Sequence, residues 1–172
     1  MSSGPEPGRS PEPVIATTTA IPVSALEAVR AAAPPKTTLL GFKKDEFPMA
    51  LARHGRALEL FEHSGAVLRT ALVFLGEKRG IDLMHSRHDA VASAITKARS
   101  SPFFLLGEEH LPLSGKLAES DADIDELADF FNALNDAHEG PEVGEAVQEG
   151  FEFLRRALEA VSPETVVLVA IL

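Results

Sequence analysis

The residues best suited to chemistry are two histidines in the segment His85-Ser-Arg-His88. If this segment is helical, both imidazoles lie one turn apart, and such a pair can chelate a divalent metal. Asp82 and Asp89 are near enough in sequence to add carboxylate ligands. The segment lacks the ExxH and HExxH pairings of established metal sites, and an arginine lies between the rings. We therefore retain His85 and His88 as candidate metal ligands. The alternative is an ordinary pair near a helix start, one exposed and one packed.

Other chemical motifs fail on inspection. The carboxylate run 121–126 resembles the start of a calcium loop, but its sixth position is Glu126 and its twelfth is Asn132, where glycine and glutamate are needed. The run is better explained as acidic residues gathered in the first turn of a helix. Neither a phosphate-binding glycine loop nor a G-x-S-x-G elbow occurs, and the chain contains no cysteine. No residue is nominated as a nucleophile, so we lean against an enzyme and expect no cofactor.

Composition indicates a globular domain. The chain has 172 residues, of which 45% are hydrophobic and 24% charged. The N-terminus lacks the apolar run of a signal peptide, and no stretch approaches the roughly 20 apolar residues that span a bilayer. We therefore expect a cytoplasmic protein without a membrane span.

Charge is divided unevenly along the chain. The net charge is −10, but residues 36–100 carry +4 and residues 101–172 carry −13. The acidic half would repel nucleic acid, so we expect no nucleic-acid partner. A weaker possibility is a nucleic-acid regulator that uses Lys43, Lys44, Arg53 and Arg56. The division also allows the basic part of one molecule to meet the acidic part of another, or the two parts to pair within one domain.

The secondary-structure elements that would position these residues are predicted from the spacing of apolar residues and from helix-breaking Gly and Pro. Residues 1–23 are rich in Pro, Ser and Thr and predict a flexible, extended N-terminal arm. Residues 24–172 predict one helical domain. Its main helices are expected at 47–75, 82–99, 120–138 and 142–161, and the first of these could equally be two helices broken at Ser64-Gly65. The predicted fold is therefore mainly α, an antiparallel bundle of about four helices.

The C-terminal segment departs from this helical pattern. It is apolar on both faces and rich in β-branched residues, which predicts a short buried strand. A single strand leaves its backbone groups unpaired, so its partner is expected at 37–42, at 103–106 or in another molecule. The residues we predict to bind a partner are Val166, Val167, Leu168, Val169, Ile171 and Leu172.

Two functional hypotheses follow. The first is a non-enzymatic protein-interaction or assembly module that docks through its termini onto a protein partner or a copy of itself. The second is a helical-bundle protein that binds a ligand or metal through His85 and His88.

Overall fold

The computed structural model describes residues 15–39, 41–120 and 122–172. The described residues form an α/β fold, so the predicted antiparallel bundle of about four helices is wrong. The helices are α1 (Leu26–Ala32), α2 (Phe47–His54), α3 (Gly65–Arg79), α4 (Asp89–Arg99), α5 (Ser114–Ala118), α6 (Ile124–Asn135) and α7 (Pro141–Glu159). The strands are β1 (Ile15–Pro22), β2 (Lys36–Thr37), β3 (Lys43–Lys44), β4 (Arg56–Ser64), β5 (Phe103–Leu106) and β6 (Thr165–Ile171). Two 3-10 turns cover Val23–Ala25 and Glu108–Leu113.

Four strands form one antiparallel sheet in the order β4-β1-β6-β5, while β2 and β3 form a separate short hairpin. The C-terminal strand predicted from sequence is therefore present as β6. It pairs with β1 on one side and with β5 on the other, and β5 is one of the partners considered above. Because both neighbours belong to the same chain, its backbone groups are satisfied within one molecule.

Strand β1 begins inside the segment that we predicted as a flexible arm. Residues 15–22 form this strand, and residues 1–14 lie outside the described part of the chain. Ala16, Thr18 and Ala20 are buried at alternate positions, which is the period of a strand with one face in a core. We interpreted the Thr-rich composition of this segment as a sign of mobility, and for residues 15–22 that interpretation is wrong. Threonine also favours strands, and here the segment forms one because it pairs with β6, which is distant in sequence.

The predicted continuous helix over 47–75 is also wrong. The chain forms α2, then β4, then α3, and the alternative break at Ser64-Gly65 coincides with the junction of β4 and α3. At Gly55 the backbone is extended, with φ −115° and ψ 170°, and β1 approaches closely. A Cβ there would lie 2.6 Å from Thr19 Cγ2. Apolar residues three and four positions apart, such as Leu58, Phe61 and Leu68, favour a helix. In the folded chain, pairing with β1 makes residues 56–64 a strand instead.

Helices cover both faces of the sheet. Side chains of β6 alternate between the two cores: Val167 and Val169 pack with α3, α5, α6 and α7, while Val166 and Leu168 pack with α1, α2 and α4. The three layers explain why β6 is apolar on both faces.

The helices of the acidic half match the prediction more closely. The helix predicted at 142–161 is present as α7, and its apolar residues are buried, as is Val161 just beyond its end: Val143, Val147, Phe151, Leu154, Leu158 and Val161. Helix α6 begins after Asp123, whose side chain accepts hydrogen bonds from the N–H groups of Asp125 and Glu126. Asp123 is thus the N-cap, whereas Ser120, where the helix was predicted to begin, is buried and donates to the Lys116 carbonyl.

Candidate functional site

The two edges of the sheet differ in how they end. At the β5 edge, Phe103 lies against Thr96 of α4. The Phe103 N–H donates to Thr96 Oγ1 at 2.9 Å, and the same hydroxyl donates to the Phe103 carbonyl at 3.2 Å. One threonine therefore occupies both outward-facing backbone groups of Phe103, at the start of this four-residue edge strand.

The opposite edge, strand β4, is open. Strand β4 has nine residues and, among the described residues, pairs only with β1. The N–H of Glu59 points toward β1, since it donates to Thr18 Oγ1 at 3.2 Å. Because successive residues of a strand point their backbone groups to opposite sides, those of Leu60 point outward. The Leu60 side chain is 53% exposed, so the middle of this edge presents both free backbone groups and an apolar surface.

Helix α7 runs beside this edge and is joined to it by one ion pair and by one further side-chain hydrogen bond. The Arg156 guanidinium donates to Glu59 at 2.9 Å from Nε and at 2.6 Å from Nη2. This hydrogen bonding raises the pKa of Arg156 above its ordinary value. Further along, His63 Nε2 lies 2.7 Å from Glu149 Oε2. A groove of about 500 Å³ separates the strand from the helix, and its lining is Glu59, Leu60, Phe61, Glu62, Glu149, Glu152 and Arg156.

The β4 edge carries opposite charge at its two ends. The end near Ser64 is acidic, since Glu62, Glu149 and Glu152 line the groove there. The end near Gly55 is basic, because Arg53, His54 and Arg56 line a neighbouring depression. Within the described part of the chain, neither Arg53 nor Arg56 forms a salt bridge. The edge is therefore a strand with a charge gradient along its length.

The β2–β3 hairpin is a second exposed feature. At its tip Leu39 is fully exposed and Phe42 largely so. Lys36 and Lys44 on its strands contact Glu46 at 2.6 and 3.0 Å. One of the cations considered for nucleic acid, Lys44, is thus already engaged by a carboxylate.

The helix predicted at 82–99 begins only at Asp89, so both candidate metal ligands precede it. His85 is in the loop before α4, and His88 is the N-cap residue of α4. His85 is 72% exposed, and its Nδ1 lies 2.8 Å from Asp82 Oδ2, a hydrogen bond that raises the pKa of His85. His88 Nε2 is buried, with no hydrogen-bond partner among the described residues. No group of three or more His, Cys, Asp or Glu side chains arranged for a metal occurs in the described ranges.

A third histidine, His110, has a structural role that spacing did not reveal. It is only 2% exposed, and its Nδ1 accepts the Gly107 N–H at 3.0 Å. Its Nε2 lies 2.8 Å from the His85 carbonyl oxygen and donates to it. Because Nδ1 accepts and Nε2 donates, the geometry specifies the neutral tautomer protonated on Nε2. His110 thereby joins the loop that carries His85 to the turn that follows β5.

The residues predicted to bind a partner lie in the centre of the sheet. Val166, Val167, Leu168, Val169 and Ile171 of β6 are all buried, while Leu172 is 52% exposed. The Leu172 N–H donates to the Ile15 carbonyl at 2.8 Å, so even this last residue contacts β1. The buried residues of β6 therefore have no free surface to offer a partner, whereas Leu172 does.

No helix in the described residues combines the length and apolar character needed to cross a bilayer. Comparison of the chain with protein-family models, curated proteins and solved structures finds no match.

Proposed function

We propose that this chain is a non-enzymatic protein-interaction module that accepts an extended protein segment on the open edge of β4. The observation that supports this most directly is the asymmetry of the sheet. Thr96 occupies both outward backbone groups of Phe103 at the β5 edge, whereas the outward groups of Leu60 face no neighbouring strand in the described structure. Addition of a strand to such an edge is a general mode of protein recognition, in which main-chain hydrogen bonds supply affinity and side chains supply selectivity.

This proposal moves the docking surface from the chain ends to β4. The physical reason is that β6 is buried and already paired on both sides, so its residues have no free face to offer. Strand β4 has one free side and an exposed leucine at its middle. The expectation of a protein partner is retained, but with a different contact strand.

The surroundings of β4 favour a selective partner. Charged residues and register irregularities on an edge strand oppose indiscriminate pairing. Strand β4 has both, with Glu59 and Glu62 on the strand and register shifts opposite Ile15/Ala16 and Thr18/Thr19. Arg156 and Glu59 pair with each other in the groove, while Glu149 and Glu152 contact His63 and Arg155 beside it, so the positions of these charges are fixed before a segment binds.

The proposal is tested with short synthetic peptides in which valine alternates with lysine, glutamate or serine. The chain is kept at a dilution where light scattering shows single molecules, and amide exchange is followed by NMR. We expect at least one peptide to slow exchange of the Leu60 amide and to shift resonances along β4. Leu60→Lys should abolish the effect, whereas Leu134→Lys, at an exposed leucine of α6, should preserve it. If no peptide slows exchange at Leu60, strand addition is not the function of this edge.

A further inference from the structure

We propose that the segment received by β4 is the β4 strand of a second copy of this chain, paired antiparallel about a two-fold axis near Leu60. This inference rests on the proposed function, since it names the occupant of the same edge. The two four-stranded sheets would then become one continuous sheet across the dimer.

The first support is the backbone of β4 around Leu60. The register with β1 is regular from Glu59 to Phe61, and the two register shifts lie outside this stretch. A regular central stretch with outward-facing groups is what a partner strand requires. A two-fold axis near its centre would let each copy offer the other the same groups, as an isologous interface demands.

The second support is the order of charges along the edge. Arg56 lies at the basic end of β4 and pairs with Ala20, which places it on the same face of the sheet as Phe61, the face that α7 covers. Glu149 of α7 lies on this face at the acidic end, beside His63, and both Arg56 and Glu149 are exposed. In an antiparallel pair the basic end of one copy lies beside the acidic end of the other, and two-fold symmetry produces this contact twice. A parallel pair would instead bring like charges together.

The same charge order argues against simpler occupants. A uniformly basic segment would suit Glu62, Glu149 and Glu152 but would meet Arg53 and Arg56 at the other end. A uniformly acidic segment would suit Arg53 and Arg56 but would be repelled by the carboxylates at the other end. The matching strand must change sign along its length, and β4 itself has this property.

The third support is an exposed apolar side chain on the edge, that of Leu60. Leu60 is half exposed at the middle of the edge, and strand alternation places it on the opposite face from the buried Phe61. Around a nearby two-fold axis the two Leu60 side chains would lie close together and shield one another from water. Cross-strand contact between apolar side chains is a principal source of stability in paired strands.

The experiment is size-exclusion chromatography with light scattering on the full chain over a range of concentrations. We expect a concentration-dependent dimer. The variants Arg56→Glu and Glu149→Lys should each weaken dimerisation by about tenfold or more, since each places like charges together at both symmetry-related contacts. An equimolar mixture of the two variants should form a heterodimer, because each altered charge then meets its opposite.

Control variants separate this interface from others. Lys97→Glu on α4 and Glu77→Lys on α3 alter exposed charges away from β4 and should leave the dimer unchanged. Phe42→Ser alters the hairpin tip and should also leave it unchanged. A dimer lost in Phe42→Ser would assign self-association to the hairpin and overturn the inference.

The outcomes also separate this inference from the function on which it rests. A chain that stays monomeric at every concentration, yet binds a valine-alternating peptide at Leu60, would overturn self-pairing and keep strand addition. A dimer whose charge variants are not rescued by mixing would overturn the antiparallel two-fold arrangement. A chain that neither dimerises nor binds any peptide would overturn both proposals.

Discussion

Thr96 and Phe103 form a reciprocal pair of hydrogen bonds in which one hydroxyl serves both backbone groups of an edge residue. The hydroxyl accepts at 2.9 Å from the Phe103 N–H and donates at 3.2 Å to the Phe103 carbonyl. Phe103 is buried, so water cannot easily replace this partner. The side chain of a helix thus takes the position that another strand would occupy.

Replacing Thr96 by valine keeps its shape but removes both hydrogen bonds. Because two buried backbone groups lose their partner, we expect Thr96→Val to lower the free energy of unfolding by about 1–3 kcal/mol. The measurement is urea denaturation followed by circular dichroism. The matched control, Thr37→Val in the exposed hairpin, should change stability by less than about 0.5 kcal/mol. Equal stability of the two variants would contradict the role assigned to Thr96.

His110 joins two loops through both ring nitrogens, and its loss should be costly. In His110→Ala the Gly107 N–H and the His85 carbonyl lose their partner, and a cavity forms among buried side chains. We expect a loss of about 2–4 kcal/mol in the free energy of unfolding. The exposed His138→Ala variant should leave the free energy of unfolding nearly unchanged in the same urea denaturation assay. If His110→Ala is as stable as His138→Ala, the two hydrogen bonds do not contribute as described.

The pair of His85 and Asp82 makes one interaction pH-dependent. Its hydrogen bond raises the pKa of His85 in the folded state. The stabilising contribution of the imidazolium is therefore fully present below the pKa of the unfolded chain and is lost as pH rises through the folded value. We expect Asp82→Asn to lower the pKa of His85, as measured by NMR titration of its ring protons. Asp136→Asn, remote from this loop, should leave that pKa as in the parent, and an unchanged value in Asp82→Asn would refute the pairing.

Gly144 marks the contact between α6 and α7. A Cβ at this position would overlap the carbonyl oxygen of Ile124, which is backbone and cannot rotate away. We expect Gly144→Ala to destabilise the fold by about 1–3 kcal/mol, the usual cost of overpacking. Gly115 lies in helix α5 with open space around its missing Cβ, so Gly115→Ala should be neutral or stabilising by about 0.5–1 kcal/mol. Comparison of their denaturation midpoints tests the close approach of the two helices.

The sequence alone predicted the two elements with the most continuous burial, α7 and β6. Helix α7 shows apolar residues at helical spacing from Val143 to Leu158, and a long amphipathic pattern of this kind has few other structural solutions. Strand β6 is apolar and β-branched on both faces, which excludes an amphipathic surface helix. Both could be predicted because the decisive information lies within the element itself.

Only the tertiary structure decided β1, β4 and the candidate docking edge. The spacing of Leu58, Phe61 and Leu68 fits a helix, and the outcome depended on pairing with a strand about forty residues earlier in the chain. The partner of the outward Phe103 groups at the β5 edge depended on where Thr96 came to lie, and the free side of β4 depended on the strand order. Backbone hydrogen bonds between distant segments leave no periodic trace in either segment, so strand pairing and edge accessibility emerge only when the chain is folded.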